Sequence, residues 1–146
     1  AANNTAVGEA ALLSNTTASN NTAVGKDCLR ENTTGAQNTA VGRLALDTNT
    51  TGESMVAVGY QALDANTTGS SNTAIGREAL QANTTTSYST AVGHQAGFNS
   101  TGAQSTYVGE GCRMGTAILE LLSTRTATSP LALLPLYITL EMVVQP

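Results

Sequence analysis

Large side chains and charges are both scarce in this sequence. Aromatic residues make up 3% of the 146 residues and tryptophan is absent, so a conventional globular core would be hard to fill. Ten acidic side chains stand against six lysines and arginines, and no basic stripe is available to neutralise a phosphate backbone. We therefore expect no nucleic-acid partner. The many small residues favour thin, closely stacked layers.

Long hydrophobic runs are also lacking. The one sustained apolar stretch, residues 131–144, contains Pro135 and Glu141 and is shorter than the roughly 20 residues that span a bilayer as a helix. The sequence begins inside its repeat, so no signal peptide is visible. We expect no membrane span.

What the sequence does have is a repeat. A motif close to Thr-Ala-Val-Gly ends at Gly8, Gly25 and Gly42 and keeps this 17-residue interval to Gly93, after which one interval is 16 because a turn is shortened. The unit reads N-T-A-V-G-x-x-A-L-x-x-N-T-T-G-x-x. A fixed period near 20 is typical of solenoids, in which each unit buries its face against its neighbours. Short β-branched segments bounded by glycine and asparagine favour strands over helices.

The repeat therefore predicts an all-β fold. We expect a parallel β-solenoid of about seven coils over residues 1–115, followed by a non-repeat segment at 116–146. This Leu-rich tail is interpreted as a cap for an unpaired solenoid end. The alternative is that it is an out-of-frame reading of further repeats.

The direction in which the motif's side chains point decides which of them form the core. In an extended strand, threonine and valine point to one face and alanine to the other. Because one unit replaces its threonine with Val56, and the valine site takes only valine or isoleucine, we predict that this pair faces inward. The predicted inward column is Val7, Val24, Val41, Val58, Ile75, Val92 and Val108. A second inward layer is Leu12, Leu29, Leu46, Leu63 and Leu80, each preceded by alanine or cysteine.

The alanine of each motif is then assigned to the outer surface. The site stays alanine through six units and becomes Tyr107 in the seventh, whereas a merely solvated site would drift to lysine, serine or glutamate. We therefore predict an assembly face where another chain or another sheet comes close. Its residues are Ala6, Ala23, Ala40, Ala57, Ala74 and Ala91.

Asparagine and threonine recur in the N-T-T turns. The sequons at Asn15, Asn32, Asn49, Asn66 and Asn83 would carry glycans on an extracellular protein that is glycosylated. The favoured alternative is that these residues serve turn chemistry and stacked amide ladders. Threonine ladders also suggest an ice-binding face, against which stands the prediction that the Thr-Ala-Val-Gly threonines face inward.

Residues that could carry out catalysis are isolated. His94 is the single histidine, on a variable edge that we expect to be solvated. Cys28 and Cys112 occupy equivalent sites five coils apart, too far for a disulfide, and are interpreted as small buried thiols. Asp47 and Asp64 stack in adjacent units, but the same site is not acidic in the flanking units. We expect no enzyme, no metal and no cofactor.

The combination of N-T-A-V-G, A-L and N-T-T-G over residues 3–112 resembles the head repeats of trimeric autotransporter adhesins and the repeat shafts of phage tail fibres. The period is longer than in a typical head repeat, and the A-L layer is added. The resemblance implies a left-handed parallel β-roll, three chains side by side and a role in attachment.

We therefore expect a surface-exposed structural fibre or adhesin module, extracellular or on a cell or virion surface, that forms a stiff shaft or filament by oligomerisation. Its expected partners are copies of itself and a cell-surface or glycan receptor. The alternative is an ice- or glycan-binding surface of a secreted repeat protein.

Overall fold

Each Thr-Ala-Val motif forms a three-residue strand in the computed structural model, which describes residues 2–112. The strands are β1 (Thr5–Val7), β2 (Thr22–Val24), β3 (Thr39–Val41), β4 (Val56–Val58), β5 (Thr73–Ile75), β6 (Thr90–Val92) and β7 (Thr106–Val108). They pair in parallel and in chain order in one seven-stranded sheet, with Ala23 opposite Ala40, for example. The predicted all-β parallel solenoid is confirmed. The predicted tail at 116–146 lies outside the described residues.

Tight corners connect each strand to the rest of its coil. Gly42 has a φ of 139°, and a Cβ there would lie 2.4 Å from the carbonyl oxygen of Gly59 in the next coil. Both the backbone conformation and the close stacking therefore require glycine. Leu46 also has a positive φ, 53°, and Ala45 and Leu46 are both fully buried although they are adjacent.

The strand alanines, and not the valines, face the interior. In β3, Ala40 is fully buried and Val41 is 38% exposed. The predicted inward column is therefore wrong: Val7, Val24, Val41, Ile75, Val92 and Val108 are exposed and Val58 is half-buried. The predicted alanine assembly face is wrong for the same reason, since Ala23, Ala40, Ala57, Ala74 and Ala91 are fully buried within their own chain. Ala6, in the first described coil, is exposed.

The small volume of the coil interior explains this reversal. Each regular coil already encloses a leucine, an alanine or cysteine, and asparagine side chains, such as Leu46, Ala45 and Asn49. The inward site of the strand therefore has room for little more than a methyl group. Threonine and valine stand outside, where β-branched side chains suit an extended backbone.

The second predicted inward layer is confirmed. Its leucines at 29, 46, 63 and 80 are fully buried, and Leu12 packs half-buried against the same core. The small residues before them also lie inside, including Cys28, which is fully buried, and Cys112, which is half-buried against the core. The interpretation as a small buried thiol is confirmed for Cys28, whereas Cys112 is a free thiol that is only half-buried.

One coil lacks the buried leucine of the others, and a side chain from the next coil fills the space that this leucine would occupy. Gly97 stands where other coils have leucine, and Tyr107 stands where other strands have alanine. A Cβ at Gly97 would lie 2.7 Å from the Tyr107 ring, and the Tyr107 hydroxyl lies 2.7 Å from Ser100 Oγ. The tyrosine ring therefore fills the space that the missing leucine leaves.

We predict opposite effects from substitutions at two adjacent residues of β3. Ala40→Leu should lower the free energy of unfolding by about 1–3 kcal/mol or more, because the interior has no room for the added carbons. Val41→Thr should change it by less than about 0.5 kcal/mol, because this side chain is on the surface. Urea unfolding followed by circular dichroism measures both. A larger loss for Val41→Thr than for Ala40→Leu would contradict the strand orientation.

A second prediction concerns the irregular coil. Tyr107→Ala should cost about 3–5 kcal/mol by opening a cavity, and Gly97→Leu alone should destabilise by clashing with the Tyr107 ring. The double variant restores the leucine and alanine of the other coils, and Gly97 already has a φ of 62°, close to that of the buried leucines. It should therefore be more stable than either single variant. Additive losses in a double-mutant cycle would show that the two residues do not share one space.

Candidate binding face

The outer side of the seven-stranded sheet presents two regular columns of side chains. The first column of outward residues is Thr5, Thr22, Thr39, Val56, Thr73, Thr90 and Thr106. The second column is Val7, Val24, Val41, Val58, Ile75, Val92 and Val108. We call these two columns the Thr/Val face. Neither column contains a charged residue, so the face presents hydroxyl and methyl groups only.

Threonines of the face differ from threonines of the turns in the use of their hydroxyl groups. In the turns, Thr33 Oγ1 donates to the carbonyl of Thr50 at 2.9 Å, and Thr50 Oγ1 donates to that of Thr67 at 2.9 Å. The face threonines make no side-chain hydrogen bond to any other group within residues 2–112. Their hydroxyls are therefore available to water or to a partner.

A column of buried asparagines holds the coils in register. Asn49 Nδ2 donates to Asn32 Oδ1 at 2.8 Å, and Asn49 Oδ1 accepts from Asn66 Nδ2 at 2.9 Å. Asn49 Nδ2 also donates to the carbonyl of Gly52 at 3.0 Å. A Cβ at Gly52 would lie 2.6 Å from Asn49 Oδ1, so the glycine of N-T-T-G makes room for the ladder.

The candidate glycosylation sites are the members of this ladder. Asn32, Asn49, Asn66 and Asn83 are buried, and Asn15 is half-buried, with its Nδ2 donating to the carbonyl of Ala18 at 3.2 Å. A side chain that is buried and hydrogen-bonded offers no amide nitrogen for a glycan in the folded solenoid. Glycosylation at the four buried sites is therefore contradicted, and the alternative of stacked amide ladders is confirmed.

A second asparagine column, immediately before the strands, was missed in the sequence. Asn38 Oδ1 accepts from the backbone nitrogen of Met55 at 3.1 Å, and Asn38 Nδ2 donates to the carbonyl of Gly52 at 2.9 Å. Asn21 makes the equivalent pair of bonds one coil earlier. A weaker signal was present in the sequence, because this position is asparagine in four of the seven units and methionine or serine in the others. These bonds fix the strands that follow an asparagine to the next coil.

Charged side chains lie at the corner after most strands, and Tyr60 takes this place after β4. Lys26 Nζ lies 2.6 Å from Glu9 Oε2, and this contact lowers the pKa of the Glu9 carboxyl. The guanidinium groups of Arg43 and Arg77 each lie 5.8 Å from the centroid of the Tyr60 ring. This edge varies from coil to coil, whereas the Thr/Val face does not.

Side chains with catalytic potential remain apart. His94 is exposed, and its Nδ1 lies 3.3 Å from Glu110 Oε1. Burial raises the pKa of the Cys28 thiol to about 11, which disfavours the nucleophilic thiolate. In the described part of the chain, no group of three or more histidine, cysteine or acidic side chains is placed to hold a metal ion. No helix there is long and apolar enough to cross a membrane.

The acids Asp47 and Asp64 occupy equivalent sites of adjacent coils and have different partners. Burial is the main cause that raises the pKa of both carboxyls. Arg30 Nη2 lies 3.1 Å from Asp47 Oδ2, and Gln61 Nε2 donates to Asp64 Oδ2 at 2.9 Å. Each carboxylate thus has a side-chain partner of its own, and among the described residues Asp47 Oδ1 is buried without a hydrogen-bond partner.

Comparison with known proteins found no relative from which a role for the Thr/Val face could be taken. No protein-family model matches the chain, and neither a curated protein nor a solved structure matches it. The resemblance to adhesin heads therefore rests on the motif residues alone.

The buried ladder yields a third prediction. Asn49→Ala should lower the free energy of unfolding by about 1–3 kcal/mol, because Asn32 Oδ1 is left buried without its donor. Asn99→Ala is the matched control, since Asn99 is also a sequon asparagine but is exposed, and it should cost less than about 0.5 kcal/mol. Thermal and urea unfolding measure both variants. Equal losses would mean that the ladder does not stabilise the coils.

Proposed function

We propose that this chain is a structural adhesion module: a stiff repeat shaft that makes its contacts through the Thr/Val face. The observation that carries the proposal is the repetition of the same two outward side chains on seven strands in register. A surface so extended and so uniform suits broad contact with a partner.

Stiffness supports the structural part of the proposal. Parallel pairing joins all seven strands. Through the first five coils, asparagine side chains and threonine hydroxyls add further bonds, such as Thr50 Oγ1 donating to the carbonyl of Thr67. A stack joined in this way at several points around each coil resists bending. A shaft needs that property, and so does a surface that must keep many side chains in fixed positions.

Contact, and not catalysis, is the activity that the described residues support. The thiol of Cys28 is buried and disfavoured as a thiolate, and His94 has a single exposed carboxylate partner in Glu110. Neither residue lies beside a second group that would activate a nucleophile. We propose a location outside the cell or on a cell or virion surface, in line with the adhesins that the motif resembles.

Self-association is part of this proposal, and it now uses a different surface. The alanine column lies inside its own chain, so it is not available to a second copy. The exposed valines and isoleucine of the Thr/Val face form an apolar column along the whole sheet. Apolar surface of this extent commonly marks an interaction site, and side-by-side pairing of two or three copies would cover it.

The fourth prediction tests this assembly. In size-exclusion chromatography with light scattering, the wild-type chain should have two or three times the monomer mass of 14.8 kDa. Val24→Lys with Ile75→Lys should yield a monomer, because two charges interrupt the apolar column. Thr34→Lys with Thr85→Lys is the matched control: it adds the same charges to the same coils at exposed turn positions and should stay associated.

Circular dichroism and thermal melting of all three proteins establish that the coils are intact. A wild-type chain that stays monomeric at high concentration would contradict self-association. The Thr/Val face would then be the contact surface for a different partner.

A further inference from the structure

We propose that the Thr/Val face binds the surface of ice. The inference rests on the proposed function in one respect, that this face is the contact surface, and it concerns chains that are not paired through the face, as in dilute solution. It also removes the objection raised in the sequence, since the Thr-Ala-Val-Gly threonines face outward.

The spacing of the face is that of a regular net. Neighbouring strands lie about 4.8 Å apart, and residues two apart on one strand are separated by about 6.6 Å. Because all seven strands pair in register, the outward groups repeat in both directions. The strand spacing is close to the shortest repeat of the hexagonal ice lattice. A periodic array of this kind matches a periodic solid better than it matches an irregular macromolecule.

The side chains and backbone of the Thr/Val face are rigid, so the spacing of its outward groups is maintained. Threonine and valine are β-branched and have few χ1 rotamers, so little side-chain entropy is lost when they meet a partner. The asparagine columns fix the backbone beneath them, and side-chain ladders are a known means of keeping a sheet flat over several strands. Water molecules that settle between the side chains are therefore held at constant intervals.

The chemistry of the face also suits ordered water. The hydroxyls of the face threonines have no intramolecular partner in residues 2–112, so each one donates to and accepts from water. The adjoining methyl groups offer no competing hydrogen bond, and water arranges around them in a restricted way. A fixed charge would bind its own hydration shell, and the face has none.

Strand propensity does not account for this uniformity. β-Branched residues favour strands in general, yet the first outward site is threonine in every coil except at Val56, and the second is always valine or isoleucine. At the next corner, which is equally exposed, the side chains range from Glu9 to Lys26 to Tyr60. A fold requirement alone would allow threonine and valine to exchange freely between the two outward sites. A periodic partner that meets every coil in the same way would account for this order.

The test uses ice growth by the full chain in dilute solution, where light scattering records its mass. The wild-type protein should facet ice crystals, open a gap between melting and freezing temperatures, and inhibit recrystallisation. Thr39→Lys with Thr73→Lys should abolish the gap. Thr51→Lys with Thr85→Lys adds equal charge to the same coils at exposed turn sites and should keep it. Thr39→Ala with Thr73→Ala should reduce the gap without adding charge.

Circular dichroism at the assay temperature must match the wild type for each variant, and the alanine pair serves as the test if the lysine pair does not fold. A wild-type chain without a gap would overturn the inference, and so would a face variant that keeps the wild-type gap. An oligomer that persists on dilution through this face, with no effect on ice, would also overturn it while supporting the proposed function. A monomer that shapes ice would support the inference and contradict self-association.

Discussion

The stacking distance between coils is the constraint on which the rest of the structure depends. Parallel strands fix one coil on the next at about 4.8 Å, and every side chain inside must fit within that height. Asn49 fits because its amide bonds to the equivalent amides above and below it. Gly42 and Gly52 fit because a Cβ at either would collide with the neighbouring coil. A repeat of asparagine, glycine and alanine follows from that height.

The same constraint explains how the interior can be polar and still stable. Asn32, Asn49 and Asn66 are fully buried, which would be costly for amides without partners. In a stack of identical coils, each amide meets a copy of itself, so its donor and acceptor are both used. The polar groups therefore fill space and fix the register at the same time, a combination that leucine alone does not provide.

Periodicity, strand type and the leucine layer could be predicted from the sequence because they depend on spacing along the chain. The side of the sheet that faces inward could not be predicted in the same way. Val41 is larger and more apolar than Ala40, and the usual rule places the larger residue inside. That rule applies where the core has space for large side chains. Here Leu46 and Asn49 fill the coil interior, so only the smaller Ala40 fits at the inward site of the strand. The ladder of Asn32 and its counterparts was foreseen as an alternative because stacked amides follow from the repeat itself.

Fold and surface are encoded in separate positions of the same repeat. The inward sites, such as Ala40, Leu46 and Asn49, contact the next coil and are held to small or matching side chains by its proximity. The outward sites, such as Thr39 and Val41, contact no interior group, so the coil leaves them free to vary. At the corner after the motif glycine, where Lys26 and Tyr60 stand in different coils, the side chain varies without disturbing the stacking of the coils. The constancy of Thr39, Val41 and their equivalents suits the preference of extended strands for β-branched residues, and it gives the sheet one uniform outer surface.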